Sequence, residues 1–169
     1  TPLYSSAASD VYKRQDGGGL NRLDRRKGTY VHYRHDPKDV TTIGADAVWA
    51  VFEDSEGSVW VGGWDAGLSR LDPDTGRATR FRHDPANPKS IASNNVWRIL
   101  ELRTGELLVA THAGADLFDR RTGVFTRLTK RHPGAGEGAL FSAAEDRQGN
   151  LWLVGSAFVG HVDRRTGRV

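Results

Sequence analysis

An all-β repeat array of four-stranded antiparallel units is the fold class this 169-residue sequence predicts. Three observations carry it. The segment "VWAVFEDSEGSVWVGG" (Val48–Gly63) returns as "VWRILELRTGELLVAT" (Val96–Thr111), with the same valine-tryptophan start and the same turn glycine. Aligned positions recur at nearly constant spacing: Trp49, Trp97 and Phe141, like Gly57, Gly105 and Gly149, step by 48 and then 44 residues. Such a period marks a repeat fold. Finally, no segment carries a helical period, and short runs of valine, tryptophan and phenylalanine alternate with glycine- and aspartate-bearing turns.

The second unit, 47–94, shows each element most clearly. Its first strand, A, is "AVWAVFE" (Ala47–Glu53), apolar on both faces. "DSEG" makes a tight turn, in which Gly57 takes positive φ at little cost. Strand B is "SVWVGG" (Ser58–Gly63), and "WDAG" leads into strand C, "GLSRLD" (Gly67–Asp72). "PDTG" turns the chain again, into strand D, "RATRFRH" (Arg77–His83), whose polar alternation suits an outer edge. Residues 95–138 repeat the full unit. Residues 16–46 carry strands C and D only, and 139–169 carry A, B and C, which makes thirteen strands in all.

Strands A and B would leave one apolar face wet in a lone sheet. Stacking successive sheets radially removes that cost, and the result is a β-propeller. About three blades are present, so the fold class is a partial, open β-propeller, a fragment whose first and last blades expose apolar faces. Trp49 and Trp97 are expected to be buried between blades and to hold them together. Leu108 replaces Trp60 and Trp152 in the third unit, and "GADLFD" replaces "GLSRLD", both as core exchanges. The loop "TKRHPGAGEGAL" is shorter than its counterparts and should differ in shape. Residues 1–15, "TPLYSSAASDVYKRQ", match nothing in the repeats and resemble translated sequencing-adapter read-through; they are read as a non-native or disordered leader.

Composition excludes several classes. There is no cysteine, hence no disulfide and no thiolate metal site. The net charge is only +3, with signs alternating along the chain, which argues against a nucleic-acid surface. No run approaches the ~20 apolar residues of a membrane span. The six histidines form no metal-binding pair. "DGGGLNR" (Asp16–Arg22) leads into a strand, so it offers no helix terminus to a phosphate. No serine sits in a nucleophile elbow. Catalytic residues, metals and cofactors are therefore all read as none.

The ordered motifs "HDPANPKSIASNNVWRILE", "EDSEGSVWVGGWDAGLSRLDPDTGRATRFRHDP" and "EDRQGNLWLVG" resemble the two-component regulator propeller repeat. That resemblance implies an extracytoplasmic, periplasmic sensor region of a membrane-anchored parent. Its output would be a histidine kinase or a diguanylate cyclase, in a two-component or cyclic-di-GMP receptor. The implied partners are the missing blades, the downstream signalling domains, a carbohydrate or other small ligand, and a second copy in a homodimer. Two other readings stay open: a propeller lyase or hydrolase, and a protein-interaction scaffold without a small ligand.

A meander places the A–B and C–D turns on one side of the array, and the B–C turns and D-to-A connections on the other. Variable loops gather on the second side, where binding is usually carried. Trp64, Asp65, Asn94, Asn95 and His112 are the candidate ligand-binding residues. Against that role, the asparagines could serve only to satisfy turn backbone.

Overall fold

The computed structural model describes residues 10–15, 17–25, 27–156, 158–163 and 165–169. Its strands form four separate antiparallel sheets. The first holds β1 (Asp10–Gln15), β2 (Gly19–Asp24) and β3 (Thr29–Tyr33). The second holds β4 (Val48–Glu53), β5 (Val59–Gly63), β6 (Leu68–Leu71) and β7 (Ala78–Phe81). β8 (Val96–Glu101), β9 (Leu107–Thr111), β10 (Gly114–Asp119) and β11 (Val124–Arg127) make the third. β12 (Leu140–Glu145), β13 (Leu151–Gly155) and β14 (Val159–Val162) make the fourth. Every sheet is a simple meander. The inner strands β4, β8 and β12 lie against one another, as blades fanned about an axis require. The array is a partial β-propeller and does not close.

The structure differs from the sequence reading at two elements. Residues 10–15 lie in the segment set aside as a leader, yet they pair along their whole length with β2. The open edge of β2 offers unpaired backbone groups to any extended segment, whatever its origin. Tyr12 within β1 lies 48 residues before Trp60 and is buried against the second sheet. Residues 1–9 lie outside the described residues. The shortened loop after β11 begins with one helical turn, α1 (Leu128–Arg131), anchored by buried Leu128.

Each pair of neighbouring sheets encloses one apolar layer, because alternate residues of a strand point to opposite neighbours. Val59, Val61 and Leu71 face the first sheet and join Tyr12, Leu20 and Tyr33. Trp60 and Leu68 face the third sheet and join Ile99, Val109, Phe118 and Phe125. Leu108, Ala110 and Leu117 face the fourth sheet and join Leu140, Leu151 and Leu153. Backbone bonds from Ala78 N–H to Thr41 O and from Phe125 N–H to Lys89 O tie the outer strands to the connections before the blades.

The indole that joins two blades is Trp60, with 1% of its surface exposed. Its Nε1 donates to Asp54 at 2.7 Å, and Arg120 of the third sheet reaches across to the same carboxylate at 2.9 Å. Arg120 also meets Glu101 at 2.8 Å and Glu56 at 3.6 Å. Burial works to raise the Asp54 carboxyl, but donors from Trp60, Arg120 and Ser58 outweigh it and hold it below the usual carboxylate value.

Trp49 and Trp97, expected in that joining role, are half-buried instead. The pairing of β4 with β5 skips between Val48 and Ala50, that of β8 with β9 between Val96 and Arg98, and that of β12 with β13 between Leu140 and Ser142. The aromatic residue is thus the extra residue of a β-bulge in each of these three blades. A bulge breaks alternation and re-aims one side chain. Trp49, Trp97 and Phe141 are turned out of the inter-blade layers toward the inner strands' rim.

Candidate functional site

The loop side carries the sequence-predicted residues, and local turn chemistry places most of them. Asp65, between β5 and β6, takes φ of 45°, a region aspartate tolerates better than most residues. Its N–H donates to Asn95 Oδ1 at 2.8 Å, and its Oδ1 accepts from Arg82 at 3.0 Å and from Asn94 Nδ2 at 3.3 Å. Asn94 Oδ1 in turn accepts the His83 N–H at 2.8 Å. Its backbone O accepts from Gly67 N–H at 2.8 Å, and Asn95 O accepts from His112 N–H at 3.1 Å.

Trp64, Asp65, Asn94 and Asn95 therefore form one patch, with His112 joined to it through its backbone. The two asparagine oxygens are spent on backbone donors, as Asp46 Oδ1 is spent on His35 N–H in the preceding repeat. The outward-facing groups are the indole of Trp64, 55% exposed, the carboxylate of Asp65 and the side chain of His112. The rings of His35 and His83 contact the carbonyls of Ile43 and Ile91, at 2.9 and 2.7 Å, so both repeat one turn role.

The residues that sequence reasoning assigned elsewhere are the bulge aromatics. Trp49 stacks on Trp97 with ring centres 4.2 Å apart. Trp64 meets the edge of Trp49 at 5.3 Å, and Phe141 meets Trp97 at 5.3 Å. One aromatic column thus runs from the loop patch along three blades. Beside it lies a cleft of about 220 Å³ lined by Tyr12, Trp49, Trp97, Arg98, Phe141 and Ser142. Burial, the leading cause, pushes the Tyr12 phenol up to about 12, so it stays neutral there. The one legible sign of this column was that aromatics recur at a single strand position. The bulge that aims them comes from strand pairing, which that sign does not reveal.

Deeper in the third sheet, buried Asp116 accepts from Ala92 N–H at 2.6 Å and pairs with Arg127 at 2.5 Å. Burial raises its carboxyl, against the pull of both donors. In the preceding blade Ser69 does the matching work with a hydroxyl, accepting from Gly44 N–H at 3.1 Å. This pair clamps a connection and does not face the cleft. Among the described residues, no cluster of three or more His, Cys, Asp or Glu side chains could hold a metal ion. No described helix is long and apolar enough to cross a membrane.

Residues 42–65 match the two component regulator propeller family. No curated protein matches the sequence. Among solved structures, the chain is similar to the extracellular domain described as that of hybrid two component system BT3049 from B. thetaiotaomicron. The identity is 21% and the TM-score 0.76, over 98% of this chain and 20% of that one. It is also similar to the extracellular domain of BT4673 from the same organism, at 18% identity and TM-score 0.59, over 93% and 27% of the two chains. Virginiamycin B lyase from Staphylococcus aureus follows, at 16% identity and TM-score 0.66, over 95% and 50%. The chain thus spans a fifth of the first structure's length. At these identities the likeness is one of fold.

Proposed function

We propose that this chain is part of the extracytoplasmic, ligand-sensing propeller of a membrane-anchored signalling receptor, and that it performs no catalysis itself. The observation that carries this reading is the family match at residues 42–65, set within an array that has the fold of two extracellular receptor domains. The receptor's output is a histidine kinase or a diguanylate cyclase, as the repeat's resemblance implies. The polar groups of the loop patch support a binding role over a catalytic one, because Asp65, Asn94 and Asn95 are committed to holding backbone and each other.

The ligand contacts Trp64 and His112 at the patch and extends toward the aromatic column. An exposed indole flanked by amide and carboxylate groups suits a carbohydrate, whose C–H faces stack on aromatic rings while its hydroxyls exchange hydrogen bonds. The test is titration of the chain with a panel of neutral and acidic oligosaccharides, read by tryptophan fluorescence and calorimetry. Saturable binding that Trp64→Ala weakens at least tenfold supports the reading. Binding unchanged by both Trp64→Ala and His112→Ala refutes the site, and a panel without any binder refutes the ligand class.

A further inference from the structure

The inner rim breaks the repeat at one position. Ala50, Arg98 and Ser142 each follow the bulge aromatic of their strand and pair in the same register, with Gly62, Ala110 and Val154. Two of the three are small. Arg98 instead brings a charge that a protein cannot remove by deprotonation. Ile99 faces the second sheet, so Arg98 points toward the fourth. Its side chain is half-buried and lines the cleft of about 220 Å³ together with Trp97, Phe141 and Ser142.

Arg98 and Trp97 share an unmet need. The Nε of Arg98 and the Nε1 of Trp97 are buried, and neither has an acceptor among the described residues. Other arginines that bridge the blades are matched: Arg120 by Asp54 and Glu101, Arg127 by Asp116. Buried donors without acceptors are rare and costly. Packing alone would be served by an alanine, as it is at Ala50. Both donors line the same cleft, and its walls are aromatic, with Trp49 stacked on Trp97 and Phe141 set edge-on against it.

We propose that this cleft is a carboxylate site for a small acid built on a ring. The planar guanidinium of Arg98 donates to both carboxylate oxygens as a fork. Trp97 Nε1 donates to one of them, and the ring of the acid lies against the aromatic walls. One cation and one neutral N–H balance a single negative charge; a phosphate dianion would bring a charge with no counterpart into a partly dehydrated cleft. A sugar acid and an aromatic acid both present this chemistry. The framing strands β8 and β12 pack against each other within this chain, so further blades on either side would stand elsewhere around the axis. The site stands whether or not the loop patch binds sugar.

The test is calorimetric titration of the full chain with glucuronate and benzoate, with glucose and benzamide as their neutral counterparts, and with inorganic phosphate. At least one carboxylate binds saturably, and at least tenfold more tightly than its neutral counterpart and than phosphate. Arg98→Ala removes that preference. It also keeps or raises the melting temperature, because it installs the residue of the preceding blade and removes an unmatched charge. Trp97→Phe, which keeps a ring but loses the donor, weakens carboxylate binding several-fold. A preference confined to glucuronate assigns a sugar acid, and one confined to benzoate an aromatic acid. Equal binding of charged and neutral probes overturns the proposal, as does tighter binding of phosphate or no carboxylate binding at all. So does a preference that survives Arg98→Ala, or a drop of several degrees in that variant, which would mark a prop between blades. Oligosaccharide binding at Trp64 is scored separately, so either site can fail alone.

Discussion

Trp60, Trp97 and Trp152 form a natural series, because the structure gives three indoles three different degrees of cover. Trp60→Ala removes the side chain that spans the layer between the second and third sheets. Burying an indole takes about 150–250 Å² from water, or about 4–6 kcal/mol by area as an upper bound. Replacement of a buried aromatic by alanine costs about 3–5 kcal/mol once partial collapse of the cavity is included. The change also strips Asp54 of its indole donor, but Ser58 N–H and Arg120 remain, so that carboxylate is not left bare. The expected loss is therefore about 3–5 kcal/mol. Trp97→Ala removes a half-buried ring that keeps the Trp49 contact on one face, and about 1–2 kcal/mol is expected from its area. Trp152→Ala should cost about 1 kcal/mol or less, because that ring is 47% exposed. The measurement is urea unfolding followed by far-UV circular dichroism, since tryptophan fluorescence would change with the substitution itself. A Trp60→Ala loss below about 1 kcal/mol would show that this indole does not join the blades. Equal losses at Trp60 and Trp152 would show that cover by a neighbouring sheet is not what sets the energy.

Against the pull of its burial, the carboxyl of Asp54 is held below its ordinary value of 3.8 by the donors of Trp60, Arg120 and Ser58. A depressed folded-state pKa gives stability that is present above 3.8 and lost as pH falls through the lower folded value. The acid limb of a stability–pH profile should therefore flatten in Asp54→Asn, and an unchanged limb would contradict the Arg120 clamp. Arg127→Ala leaves Asp116 buried beside a single N–H donor; a loss of about 3–5 kcal/mol is expected in thermal or urea unfolding. Gly44→Ala would place a Cβ 2.1 Å from the Ala66 carbonyl oxygen, so the loop must move. A drop in melting temperature of several degrees is expected, with a larger change in proteolysis at 64–66 than elsewhere. The exposed apolar side chains of the last sheet, Trp152 and Val154, should bind a hydrophobic dye, and Trp152→Glu should reduce that signal.

The repeat by itself determined the architecture of this protein. Spacing, turn glycines and strands apolar on both faces were enough to give four-stranded meanders stacked in an open array, because a strand of that composition must be covered twice. Loop lengths were enough to put Trp64, Asp65, Asn94 and Asn95 on one side, since a meander fixes which turns share an edge. Tertiary structure alone decided which aromatic does what. Trp49, Trp60 and Trp97 look alike along the chain, but a bulge at 49 and 97 turns those two rings to the inner rim and leaves Trp60 to fill the layer between blades. The Arg120–Asp54 clamp likewise joins residues from different units, and no local pattern announces it. The physical reason is common to both cases. A strand's covalent sequence fixes its alternation, whereas a bulge or a partner from the next sheet exists only once hydrogen-bond registers between strands are set.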